Sequence, residues 1–452
     1  MVYDSLNQIS ATKAAAAIRN GKFSSFDLVK SCVDRIKSRE PTVHAWVEFD
    51  PDRALKEAEY ADKKLQSGKE SGVLHGVPVG LKDIIDTLDM PTQMGSALFS
   101  NRRPAQDAMC TNLLRQAGAV ILGKTVTTEF ALTGAKKTAN PHNILHTPGG
   151  SSSGSAAAVA DFMVPLAVGS QTGGSMIRPA SYCGVYGYKP TFGLISRRGV
   201  FILARVLDHL GVYARSVEDL MLISGCLMVY DSRDLDMKKD FDYIGLASNN
   251  VNIAKKSPRI AFIKGPAWEY TESYMVTIFE SYLSRLETKV EEVTLSGIFD
   301  GALEAHRVIM ESNLWHNLGV YRERKEKLLM PETVRRIDSG KHITASDYIE
   351  ASELVCSLQT ALESLFERYD AIITPSATGE APRGLTNTGN AVMQKIWTLT
   401  GLPTISLPHM LGPNGLPIGV QVIGPRGADN KLFRIAFWLD NLIRTQDGGI
   451  KN

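Results

Sequence analysis

Apolar residues follow two different rhythms along this chain. In the first stretch they recur at three-to-four spacing with strongly charged opposite faces, which predicts amphipathic helices over residues 10–20, 25–39 and about 51–66. Gly21, Pro41 and Gly68 mark where these helices are expected to stop, and Asp50-Pro51 opens the third. From His75 the rhythm changes to alternation: Val77, Val79 and Leu81 form a strand-like run that ends on Lys82. Short apolar runs at 119–122 and 164–168, each beside a helical pattern, predict further strands. Residues 272–367 read mostly as charged helix. Strand patterning resumes at 371–374, 404–407 and 419–423, and a last helix is expected over 429–444. Strands interleaved with helices predict an α/β class. With no internal repeat or long linker, we expect one domain over 1–452, with a helical segment at 1–70 and a helical excursion at 235–365.

Composition narrows the function classes. The 452 residues are 44% hydrophobic, enough for a large core, and 50 basic against 48 acidic residues give a net charge of +2. That balance lacks the basic footprint of a nucleic-acid or anionic-membrane partner. The five cysteines, Cys32, Cys110, Cys183, Cys226 and Cys356, are scattered without C-x-x-C spacing, so reduced thiols are expected rather than disulfides or a metal site. The opening MVYDSLNQIS lacks the basic-then-apolar pattern of a secretory leader. No uncharged apolar run approaches the ~18 residues of a membrane span. The expectation is a cytoplasmic globular protein, with the amphipathic N-terminal helices suggesting a homodimer.

The chemistry concentrates between Gly149 and Pro190, where two glycine-flanked serine clusters, opened by Ser151 and closed by Ser175, bracket an apolar segment. Glycine beside serine lets backbone N–H groups converge on a reacting carbonyl. A flexible linker would not run straight into Ala156, Ala157, Ala158, Val159 and Ala160. Two other motifs overlap the region. Gly118 to Thr125 satisfies G-x-x-x-x-G-K-[ST], but the four intervening residues read as a strand, where a phosphate cradle needs a loop. Gly150-Ser151-Ser152-Ser153-Gly154 satisfies G-x-S-x-G, but a loop with two prolines precedes it where that elbow needs a strand.

The chain resembles the amidase signature family. The resemblance is carried by GGSSSGSAAAVA from Gly149, QTGGSMIRPASYCGVYGYKPTFG from Gln171 and HGVPVGLKDIIDT from His75, together with NPHN, GKTVTTEFAL, TGLPTISLP and GLPIGVQVIG. It spans nearly the whole chain apart from about 235–365. It implies a central mixed, twisted sheet covered by helices on both faces, with the excursion shaping the substrate pocket. It also implies hydrolysis of an amide without metal or cofactor. In the family the roles fall on a lysine at a strand end, the first serine after the double glycine, and a serine 24 positions later; these are Lys82, Ser151 and Ser175. Ser175 is then the nucleophile, Ser151 the proton relay and Lys82 the base, which must be neutral for part of the cycle. The peptide bond entering Ser151 is expected to be cis. The backbone N–H groups of Thr172, Gly173, Gly174 and Ser175 form the implied oxyanion hole.

One departure bears on substrate. Most members read GTDTGGSIRxPA, whereas Gln171 here replaces the aspartate and Met176-Ile177-Arg178 moves the arginine one position on. This pattern resembles the malonamidase-type branch, which implies that Arg178 grips a carboxylate near the scissile amide. The competing reading of Arg178 is a structural ion pair. Three functions follow: a stand-alone amidase for a small carboxylated amide, a hydrolase of a urea-derived compound, or the ammonia-releasing glutaminase component of a glutamyl-tRNA amidotransferase, working within a complex.

Overall fold

The computed structural model describes residues 5–447 apart from 69–70, 133, 135–136, 244–256 and 287. Parts of the predicted segments 1–70 and 235–365 therefore lie outside the described residues. Eleven strands among those residues form one mixed sheet. In chain order they are β1 (Trp46–Phe49), β2 (Pro78–Lys82), β3 (Val120–Thr125), β4 (Leu166–Gln171), β5 (Tyr186–Lys189), β6 (His209–Ala214), β7 (Ile260–Phe262), β8 (Val290–Glu292), β9 (Ala371–Pro375), β10 (Thr404–Leu411) and β11 (Pro417–Ile423). Their order across the sheet is β1-β3-β2-β4-β6-β5-β10-β11-β9-β7-β8. The strands β3, β2 and β4 run parallel, as do β9, β7 and β8, with antiparallel pairing between these two groups.

Alternation along the strands explains how both faces are covered. In β4, Leu166 and Val168 enter one core and Ala167 the other; in β3, Ile121 points opposite to Val120 and Leu122. On one face the helices Val217–Leu227 and Asp429–Gln446 supply the packing, and on the other the helices Ser25–Val43 and Ser153–Ala160. The buried helix Ser153–Ala160 is built almost wholly of small residues, so it lies very close to the sheet. A Cβ on Gly154 would sit 2.1 Å from the Ala45 carbonyl oxygen, which requires glycine there.

One local expectation is corrected. The helix Ser25–Val43 continues through Pro41 and stops at His44, which is left-handed at φ 53°. The Glu40 carboxylate accepts from the N–H groups of Ala45 and Trp46 just beyond, tying down the exit of the chain. The segment 272–367 is mostly helix, as expected, with β8 as a charged, partly exposed edge strand that carries no apolar alternation.

Candidate active site

The parallel trio ends where the chemistry lies. Lys82 is the last residue of β2, and Ser170 and Gln171 end the neighbouring β4. The Gly/Ser run folds back against these strand ends. The Ser152 hydroxyl donates to the Ser170 carbonyl and accepts from the Ser170 N–H, while Ser153 Oγ donates to the Gly149 carbonyl. Gly149 itself is left-handed, and the Gly150–Ser151 peptide bond is cis. These contacts bring Ser151 Oγ to 2.7 Å from Lys82 Nζ, with Ser170 Oγ also 2.7 Å away.

Lys82 is fully buried, and burial pulls its pKa from the ordinary 10.5 down to about 7, against a smaller opposing pull from Asp208. The adjacent Asp83 turns away, lying 3.1 Å from Lys124 Nζ and accepting from the Gln93 N–H. Lys124 also donates to the Pro91 carbonyl and to Thr92 Oγ1. The lysine of the phosphate-loop pattern is thus half of a buried ion pair, and Val120 to Thr125 are a strand. Nothing there can cradle a phosphate.

Thr172, Gly173, Gly174, Ser175 and Arg178 line one cavity of about 620 Å³. Lys82 and Ser151 are buried, at 0% and 2% exposure, and the Gly150 carbonyl before Ser151 accepts from Arg178 of that lining. The Ser175 and Ser151 hydroxyls are not hydrogen bonded to each other. Among the described residues, the backbone N–H groups of Gly173, Gly174 and Ser175 have no acceptor within the protein. The turn they form is braced from four sides. Gln171 Oε1 accepts from the N–H groups of Met176 and Ile177, Thr398 Oγ1 donates to the Gly173 carbonyl, Tyr213 donates to the Ser175 carbonyl, and His306 Nε2 lies 2.9 Å from the Thr172 carbonyl oxygen. Burial pushes the His306 pKa down to about 4, so this ring is neutral and donates through Nε2.

Arg178 has no acidic partner among the described residues, so the ion-pair reading does not hold. Its guanidinium donates to the Gly389 and Gly150 carbonyls and to Thr388 Oγ1, and its buried Nε–H has no acceptor among the described residues. Burial lowers its pKa.

Sequence reasoning missed three participants. Asp208 accepts from Thr172 Oγ1 and from the N–H groups of Leu203 and Ala204, with burial pushing its pKa up. Ser170 and His306 are the others. The strand pattern does carry a signal for Ser170, a serine at the end of the strand beside Lys82. Asp208 and His306 approach only through tertiary folding and carry no local signal.

A family model described as amidase matches residues 27–433. The chain belongs to the amidase family. It is a hydrolase of carbon–nitrogen amide bonds. This amidase is 33% identical to the A component of the glutamyl-tRNA(Gln) amidotransferase of Gloeothece citriformis, with 92% of this chain and 93% of that protein covered. Against the same component from Alkaliphilus metalliredigens the identity is also 33%, with 93% of each chain covered. Among solved structures it superposes on the peptide amidase of Stenotrophomonas maltophilia with a TM-score of 0.82, 27% identity and 97% coverage of both chains. It also superposes on a chain from a vestigial protein complex that reveals the evolutionary origins of an s-triazine catabolic enzyme. There the TM-score is 0.89 at 26% identity, covering 97% of this chain and 99% of that one. The mixed sheet flanked by helices is the fold that these amidases share.

Proposed function

We propose that this amidase hydrolyses a small amide bearing a carboxylate, through an acyl-enzyme on Ser175. The Ser175 oxygen attacks the carbonyl carbon while its proton passes to Ser151, whose own proton passes to the neutral amine of Lys82. The N–H groups from Thr172 to Ser175 hold the oxyanion. Return of the proton through Ser151 to the nitrogen breaks the C–N bond and releases ammonia or an amine. Water then frees the acid by the same relay. The observation that carries the chemistry is the 2.7 Å contact between Ser151 and a fully buried lysine whose pKa is near 7, on a chain segment whose Gly150 carbonyl is held by Arg178 of the cavity that Ser175 lines. The carboxylate preference, the malonamidase-like feature, rests on Arg178: a buried cation without an acidic partner among the described residues, beside the same strip, favours an anionic ligand.

A second reading, the A component of a glutamyl-tRNA amidotransferase working in a complex, is favoured by the relatives that bear that name. One screen separates the readings: the purified chain is given neutral amides, carboxylated amides, ureido compounds and glutamine, alongside Ser175→Ala and Arg178→Ala. Turnover of carboxylated amides that vanishes in Ser175→Ala and is selectively weakened in Arg178→Ala supports the first reading. Glutamine as the one hydrolysed compound supports the second, and Arg178→Ala lowering neutral and anionic amides equally removes the carboxylate. Light scattering of the same sample tests the homodimer expected of a stand-alone cytoplasmic enzyme.

A further inference from the structure

The cavity in front of Ser175 contains a second cation that forms no ion pair among the described residues. Lys395 sits on the helix Val392–Leu399 and lines the cavity together with Ser175 and Arg178. It is half-buried, and its ammonium makes no hydrogen bond or ion pair among the described residues. The other cations of this wall differ. Arg307 is held by Glu304 and Glu311 at 2.5 Å each, and Arg336 lies 3.6 Å from Glu311. The remaining acids of the lining, Glu269 and Asp300, are exposed.

Lys395 is also fixed relative to the chemistry. Thr398, three residues on and therefore on the same helix face, donates to the Gly173 carbonyl. Gln394, its neighbour, packs so closely on the strip that a Cβ at Gly174 would meet its Oε1 at 2.3 Å. The helix that braces the candidate oxyanion hole thus presents to the same space an ammonium without an ion pair among the described residues. Burial first, then Arg336, Arg178 and Arg307, push the Lys395 pKa down against an opposing pull from Glu311, which places both Arg178 and Glu311 within electrostatic reach of it.

We propose that Lys395 is a specificity-determining residue and that the preferred substrate is an amide carrying two carboxylates, one taken by Arg178 and the other by Lys395. This deepens the carboxylated-amide reading above and rests on it. Arg178 is already out of water, so a neutral amide closing over this cavity leaves it without an anionic contact and further desolvates Lys395, and a monocarboxylate leaves one of the two unmatched. A dicarboxylate pairs both.

The test is steady-state kinetics of the purified chain on succinamic acid, with one carboxylate, and on the monoamide of tricarballylic acid, with two. Wild type, Lys395→Met, Lys395→Arg and Arg178→Ala are compared. Lys395→Met should lower the ratio of kcat/KM for the dianion over the monoanion at least about tenfold, acting through KM, and Lys395→Arg should restore most of the ratio. An unchanged ratio in Lys395→Met overturns the proposal. If Arg178→Ala still discriminates against anionic amides in that case, the carboxylate reading survives without Lys395. If neither variant alters the preference between neutral and anionic amides, the carboxylate reading itself fails.

Discussion

Replacing Lys82 by methionine should remove a pH-dependent weakness of the fold while ending amide turnover. Lys82 is fully buried with its pKa drawn from 10.5 to about 7. At about 1.4 kcal/mol per unit, holding this lysine inside the protein rather than in water disfavours the folded state by roughly 4 kcal/mol at neutral pH. Between pH 7 and 10.5 the unfolded chain binds a proton here that the folded chain does not, so wild type gains stability from this group as pH rises through that window. Below pH 7 both states hold the proton and the full penalty remains. Methionine carries no such dependence. It also strips Ser151 and Ser170 of their shared partner, a loss of about 1–3 kcal/mol for each buried hydroxyl left unpaired, so the net shift at neutral pH is modest. The pH-dependent part is untouched by that loss. The advantage of Lys82→Met over wild type should shrink by about 3 kcal/mol between about pH 7 and about pH 9.5. Urea unfolding of both proteins at the two pH values measures it, and titrations elsewhere cancel in the difference. An identical difference at both pH values would mean that Lys82 keeps an ordinary pKa, and its role as the base would be untenable.

Further outcomes follow from the same geometry. The acid limb of kcat/KM should fall near pH 7, and Asp208→Asn should move it lower because Asp208 holds the Lys82 pKa up; a limb that moves upward contradicts this pairing. Gly174→Ala forces a Cβ to within 2.3 Å of Gln394 Oε1 and 3.0 Å of Ala391 Cβ. It should lower kcat by about 10²–10³-fold as the N–H strip is displaced, and a rate close to wild type would dismiss the strip as the oxyanion site. Lys124→Met strands the buried Asp83 carboxylate and should cost about 3–5 kcal/mol of stability in urea unfolding; a neutral effect would show that the Asp83–Lys124 pair has no structural weight.

The legibility of this protein is uneven for physical reasons. The strand ending on Lys82 can be read because Val77, Val79 and Leu81 alternate and enter one core. The strands β5 and β6 escape a reading of pattern alone: YGYK and HLGVYA carry glycine and polar ends, and they become strands through pairing with each other and with β4 and β10. At the site, Lys82, Ser151 and Ser175 can be read from glycine-serine chemistry and the family resemblance. Asp208, His306 and Lys395 cannot, because each reaches the cavity or the lysine from a segment with no motif of its own. Arg178 is visible as a displaced arginine, whereas its lack of an acidic partner among the described residues needs the fold.

The central claim is that Ser175, rather than Ser151, forms the covalent bond. Rapid quenching during turnover of an activated ester or slow amide, followed by peptide mass analysis, locates the acyl group. The account predicts the adduct on the peptide carrying Ser175 and none in Ser175→Ala. An adduct on Ser151 would reverse the two roles and contradict the account.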